Sequence, residues 1–138
     1  MPSLWTGIQY EDYSASLTLL LAGLAITGGS THLALIEQIQ AMVEQHPMIL
    51  FMKGTPQLPM CGYSSQAVQA LQAAGAGQLK TINVLADPEL RANLPRFSNW
   101  PTFPQLFVHG ELIGGSEIII ELLEAGELQR IVAEAGVV

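Results

Sequence analysis

The chain has 138 residues, 49% of them apolar and only 12% charged, with a formal net charge of −7. That composition excludes a disordered chain and suits one globular domain long enough to bury a core without disulfide or metal staples. Five Lys and Arg stand against twelve Asp and Glu, with no basic cluster, which argues against nucleic acid or an anionic membrane as a partner.

Residues 1–30 form a compositional unit of their own. Their apolar run, residues 15–26, is shorter than the roughly 20 residues a bilayer span needs. Glu11 and Asp12 stand where a signal or transit peptide would carry basic residues. Gly28-Gly29-Ser30 reads as a linker. The expectation is a loosely attached extension over 1–30 and a dispensable one, followed by a domain over 31–138.

From Thr31 onward the apolar positions recur regularly. Leu33, Leu35, Ile36, Ile39, Met42 and Val43 follow three- and four-residue spacing, which predicts an amphipathic helix opened by Ser30 or Thr31 and stopped by Pro47. Met48-Ile-Leu-Phe-Met52 reads as a buried strand, residues 64–74 as a helix, and 79–84 as a second strand. Asp87-Pro88-Glu89 is a strong helix start, for a helix running to about Leu94. Residues 105–109 and 111–113 read as a tight hairpin around Gly110, and helices over 117–124 and 127–134 close the chain. A βαβ unit followed by a hairpin and a packing helix predicts an α/β protein of thioredoxin-like fold, a four-stranded mixed sheet flanked by helices.

The chain's one cysteine, Cys61, lies between that first strand and the following helix, in Lys53-Gly-Thr-Pro-Gln-Leu-Pro-Met-Cys61-Gly-Tyr-Ser-Ser65. A helix start carries partial positive charge and free N–H groups, and both favour thiolate over thiol. Lys53 adds a full charge at the other end of the loop. The alternative is an inert buried cysteine, the commoner fate of a lone one. Gly62, Ser64 and Ser65 do not look like core, which favours the reactive reading. With no second cysteine there is no internal disulfide, and a reducing, cytoplasmic-type compartment fits better than an oxidising one.

Four stretches, Lys53-Gly-Thr-Pro, Cys61-Gly-Tyr-Ser, Trp100-Pro-Thr-Phe-Pro and Gly114-Gly-Ser-Glu, occur in an order and spacing that resembles the monothiol glutaredoxins with a Cys-Gly-Phe-Ser motif, over about residues 32–131. The resemblance implies the thioredoxin fold and glutathione binding. By it, Lys53 and Arg91 hold the glycine carboxylate. Phe103, before a cis Pro104, pairs its backbone with the glutathione cysteine. The helix start at Ser116 receives the γ-glutamyl carboxylate, and Glu117 takes the ammonium. Taken singly these residues also have ordinary readings: solvated basic residues, a rigid turn and a first-turn acid. Tyr63 stands for the usual phenylalanine, its hydroxyl expected to face solvent. Glu117 stands for the usual aspartate, and Ser116 where many members carry a second cysteine. His46 and His109 read as solvated residues at a strand end and a turn.

Two functions follow from the resemblance. The first is a carrier of a [2Fe–2S] cluster, bridged across a homodimer by Cys61 and glutathione from each side. Apo-proteins would be its recipients and a BolA-like protein a common partner, in bacterial cytoplasm or an organellar matrix or stroma. The second is a glutathione-dependent thiol–disulfide oxidoreductase working through Cys61 alone. A third, a non-catalytic thioredoxin-like interaction domain, would need Cys61 buried and unreactive. The seven-residue loop between Lys53 and Cys61, with Pro56 and Pro59, resembles the longer loop of the cluster-carrying class and favours the first.

Overall fold

The strand Met48–Met52 (β1) is buried at all five positions, and the rest of the molecule is laid out on its two faces. The structure is a computed structural model that describes residues 30–138. The extension expected over residues 1–30 therefore lies outside the described residues, except for Ser30, which opens helix α1 (Ser30–Gln45).

Around β1 the chain builds α2 (Gly62–Ala73), β2 (Lys80–Asn83), a short 3₁₀ turn (Val84–Ala86), α3 (Pro88–Ser98), β3 (Gln105–Val108), β4 (Glu111–Gly114), α4 (Ser116–Glu124) and α5 (Glu127–Ala135). The sheet order is β2-β1-β3-β4; β1 runs parallel to β2 and antiparallel to β3, and β3 antiparallel to β4. This is the mixed four-stranded sheet expected from the element order. Among the described residues no helix is long and apolar enough to cross a membrane.

Strand alternation divides the core in two. Met48, Leu50, Met52 and Leu106 face α2, α4 and α5, where Leu71, Ile119, Leu128 and Val132 close the layer. Ile49, Phe51 and Phe107 face α1 and α3, meeting Ile39, Val43, Leu90 and Leu94. Phe51 and Phe107 meet edge to face at 5.6 Å. Each fully buried Leu, Ile or Phe contributes about 1.5–3 kcal/mol. A strand buried on both sides is thus a firm base for the loop that leaves it.

Among the boundaries that differ from the sequence reading, two have a clear physical cause. Val84 turns into the 3₁₀ segment instead of ending β2, because the Asn83 side chain accepts from Leu85 N–H and bends the chain there. Helix α3 does not stop at Leu94. It runs through Pro95 to Ser98 and ends at Asn99 in the left-handed region. Pro95 lacks the N–H that would reach the Arg91 carbonyl, but Arg91 is exposed, so water can take that place. The extra turn packs Phe97 against Phe107, ring centres 6.1 Å apart, which rewards its formation.

Antiparallel pairing sets Phe51, near the end of β1, beside Gln105, the first residue of β3. The loops leaving β1 and entering β3 therefore meet at one end of the sheet.

Candidate functional site

The loop after β1 is braced by its own backbone. Met60 N–H donates to Lys53 O at 2.9 Å, and Thr55 and Leu58 exchange N–H···O bonds of 3.1 and 3.0 Å. Gly54 pairs with Pro59 as an isolated antiparallel bridge. From β2, Asn83 Oδ1 accepts from Gly54 N–H at 2.9 Å and ties the loop to the neighbouring strand. Lys53 and Cys61 are thereby held at the two feet of a small closed hairpin. The sequence reading placed Asn83 inside a strand and gave it no role; an Asn just ahead of Asp87-Pro88 was the available signal.

Cys61 is the extended N-cap residue of α2, with φ −158° and ψ 137°, and its side chain is half-exposed. Its thiol pKa is lowered, first by hydrogen bonding from Ser64 N–H. Burial works against this, while Tyr63 N–H, the Lys53 charge and the Ser64 hydroxyl add to the lowering. The reactive form is thus favoured by the first turn of a helix plus one cation, as the sequence suggests. Ser64 itself corrects the sequence reading: it is fully buried and accepts from Lys53 N–H at 3.1 Å. That bond leaves its own hydrogen free for the sulfur. His46 is likewise half-buried, not solvated, and its pKa is lowered by burial and by Lys80.

The sign of the Cys61 shift gives a direct expectation. The rate of alkylation by iodoacetamide should rise with pH through an inflection below that of an unperturbed cysteine. Lys53→Ala, which removes the cation, should move the inflection up. A wild-type profile matching that of a free thiol would contradict the assigned hydrogen bonds.

On the other side of the groove, Arg91 and Pro95 lie one turn apart on α3. The loop 100–104 follows, with a cis Phe103–Pro104 bond as expected. The start of α4 comes next. Gly115 lets that helix approach the loop closely: a Cβ there would stand 3.2 Å from Pro104 O and 3.3 Å from Trp100 Nε1. Ser116 is buried and donates its hydroxyl to Gln66 Oε1 at 3.3 Å, which ties its side chain to α2.

Lys53, Cys61, Arg91, Phe103, Ser116 and Glu117, the whole set of expected site residues, line a single cavity of about 650 Å³. Tyr63, Pro95, Trp100, Thr102 and Ile118 line it too. Tyr63 is 62% exposed, so its hydroxyl reaches solvent as expected, yet its ring forms part of the rim. Two cations, a cysteine whose pKa is lowered and a helix start around one groove suit an extended ligand with separated carboxylates.

Comparison with known proteins agrees with this fold. A glutaredoxin family model matches residues 48–113. Glutaredoxin 4 of Escherichia coli K12 is 52% identical over 101 residues, covering 73% of this chain and 87% of that protein. Among solved structures, reduced apo GrxS14 of poplar is 42% identical, with a TM-score of 0.61 over 73% of this chain and 92% of its own. A buckwheat glutaredoxin–glutathione complex is 25% identical, with a TM-score of 0.64 over 75% and 91% of the two chains. An N-capping Cys61 with no second cysteine, on this sheet and in this sequence company, makes the chain a member of the glutaredoxin family, of the monothiol kind.

Proposed function

We propose that the cavity binds glutathione and that the protein stores and transfers a [2Fe–2S] cluster carried between two copies of the chain. The observation that carries this reading is the convergence of Lys53, Arg91, Cys61, Phe103 and the start of α4 on one groove. Glutathione has an acidic glycine end, a thiol in the middle and an amino-acid head. Lys53 as a point charge and Arg91 as a planar fork suit the glycine carboxylate. The backbone of Phe103 suits the peptide-like centre, the Ser116 N–H the γ-glutamyl carboxylate, and Glu117 the ammonium. The buckwheat relative was solved with glutathione.

Thiolate arithmetic supports the shared cluster. A [2Fe–2S] centre takes four cysteine-type ligands, and this chain has one cysteine. Among the described residues no group of three His, Cys, Asp or Glu could hold a metal. Cys61 from each of two chains and the thiol of one glutathione on each complete the set. The half-exposed sulfur, with Leu58 and Met60 68% and 61% exposed beside it, leaves room for a second chain. The same surface suits a BolA-like partner or a recipient apo-protein, in a reducing compartment such as the cytoplasm.

The lowered thiol pKa also favours a second reading, deglutathionylation. The Cys61 thiolate attacks the glutathione sulfur of a protein mixed disulfide and releases the protein thiolate. A second glutathione thiolate then attacks the Cys61–glutathione disulfide, giving glutathione disulfide and free Cys61.

Titration calorimetry with reduced glutathione tests the shared premise, and wild-type protein should bind it. Glu117→Asp restores the family's shorter acid and should leave the affinity unchanged or higher. A clear loss would mean that the longer side chain of Glu117 makes its own contact in the groove.

A further inference from the structure

Gln105 is a polar side chain with no exposed surface, set on the same sheet face as Phe51 and Phe107. A primary amide is costly there unless its groups are bonded. Its Nε2 donates twice, to Trp100 O at 2.9 Å and to Thr102 O at 3.1 Å, so both N–H bonds are used on one loop. Its Oε1, though buried, finds no partner among the described residues. The reversed amide would face two carbonyl oxygens with a third, so the donors fix the orientation. The residue is placed for what it donates.

One of those carbonyls matters beyond the loop itself. Thr102 C=O and Phe103 N–H belong to the same planar trans peptide, in which they point in opposite directions. Drawing Thr102 O inward, towards Gln105, turns Phe103 N–H away from Gln105, and Phe103 is a lining residue of the cavity. We infer that Gln105 is a positioning residue for ligand binding: through Trp100 O and Thr102 O it aims the Phe103 N–H at the cysteinyl backbone of glutathione without touching the ligand. This inference rests on the glutathione reading above.

The test measures glutathione affinity by calorimetry, and thermal stability separately, for wild type, Gln105→Met and Gln105→Glu. Gln105→Met keeps the length and removes both donors. Affinity should fall about tenfold, with the melting temperature within about 4 °C of wild type. In Gln105→Glu a carboxylate faces two carbonyls at pH 7.5; protonation returns one donor. Its affinity relative to wild type should therefore recover as pH is lowered to about 5.5, since a buried carboxyl facing acceptors has a raised pKa. Wild type that fails to bind glutathione removes the glutathione reading and this inference together. Wild type that binds, with Gln105→Met within twofold of it or Gln105→Glu equally impaired at both pH values, overturns the inference alone.

Discussion

Reconstituted anaerobically with iron, sulfide and glutathione, the protein should give a coloured dimer containing one iron and one glutathione per chain. Omitting glutathione should abolish both the colour and the dimer, and so should Cys61→Ser. The expectation is all-or-none because the ligand count admits no substitute: one cysteine per chain leaves a dimer two thiolates short. Lys53→Ala should weaken the assembly without preventing it. It removes one anchor of the glycine carboxylate, roughly 1–3 kcal/mol, while the thiolate stays. Analytical ultracentrifugation with iron and glutathione assays reads all of these arms. If no cluster forms while mixed disulfides are reduced at rates typical of enzymes, the oxidoreductase reading replaces the carrier.

Gly54→Ala should be the most damaging small substitution near the site. Gly54 is buried at φ +94°, a region that residues with a side chain rarely adopt. An added Cβ would stand 2.5 Å from Leu58 O and 2.6 Å from Met60 N, both backbone atoms of the closed hairpin. Conformational strain and the forced opening of the loop together predict a loss of about 2–4 kcal/mol in urea unfolding. The damage should extend to function. Opening the hairpin breaks the Met60–Lys53 bond and moves the Lys53 charge away from the Cys61 sulfur. The alkylation inflection of Cys61 should accordingly rise. A stability loss below about 1 kcal/mol, with unchanged alkylation, would show that the loop relaxes around the methyl group.

What the sequence reveals and what it hides divides along a physical line. Each motif behind the family resemblance is contiguous, and the turn or helix start it builds is local, so Cys61 could be set at a helix start with Lys53 across its loop from the residues themselves, while the site roles of Phe103, Ser116 and Glu117 followed from the resemblance. Arg91 came from the family pattern. The braces behind them depend on tertiary contacts. Ser64 looks like a polar helix-start residue until Lys53, eleven positions away, donates to it. Asn83 meets Gly54 across 29 positions. Gln105 looks like a strand residue of either face until the loop preceding it folds back. Pro95 was a reasonable end for α3 on propensity, and the burial of Phe97 overrode it.

The two outer strands of the sheet bear on how copies of the chain can meet. β2 and β4 have four residues each, and each carries an exposed charged residue at its start, Lys80 and Glu111. Short, charged margins offer few free backbone groups and resist extension of the sheet from one molecule into the next. Pairing of one sheet with another along its edges is thereby discouraged. Under the proposed function, self-association would then respond to what the groove holds and would reverse when that cargo leaves.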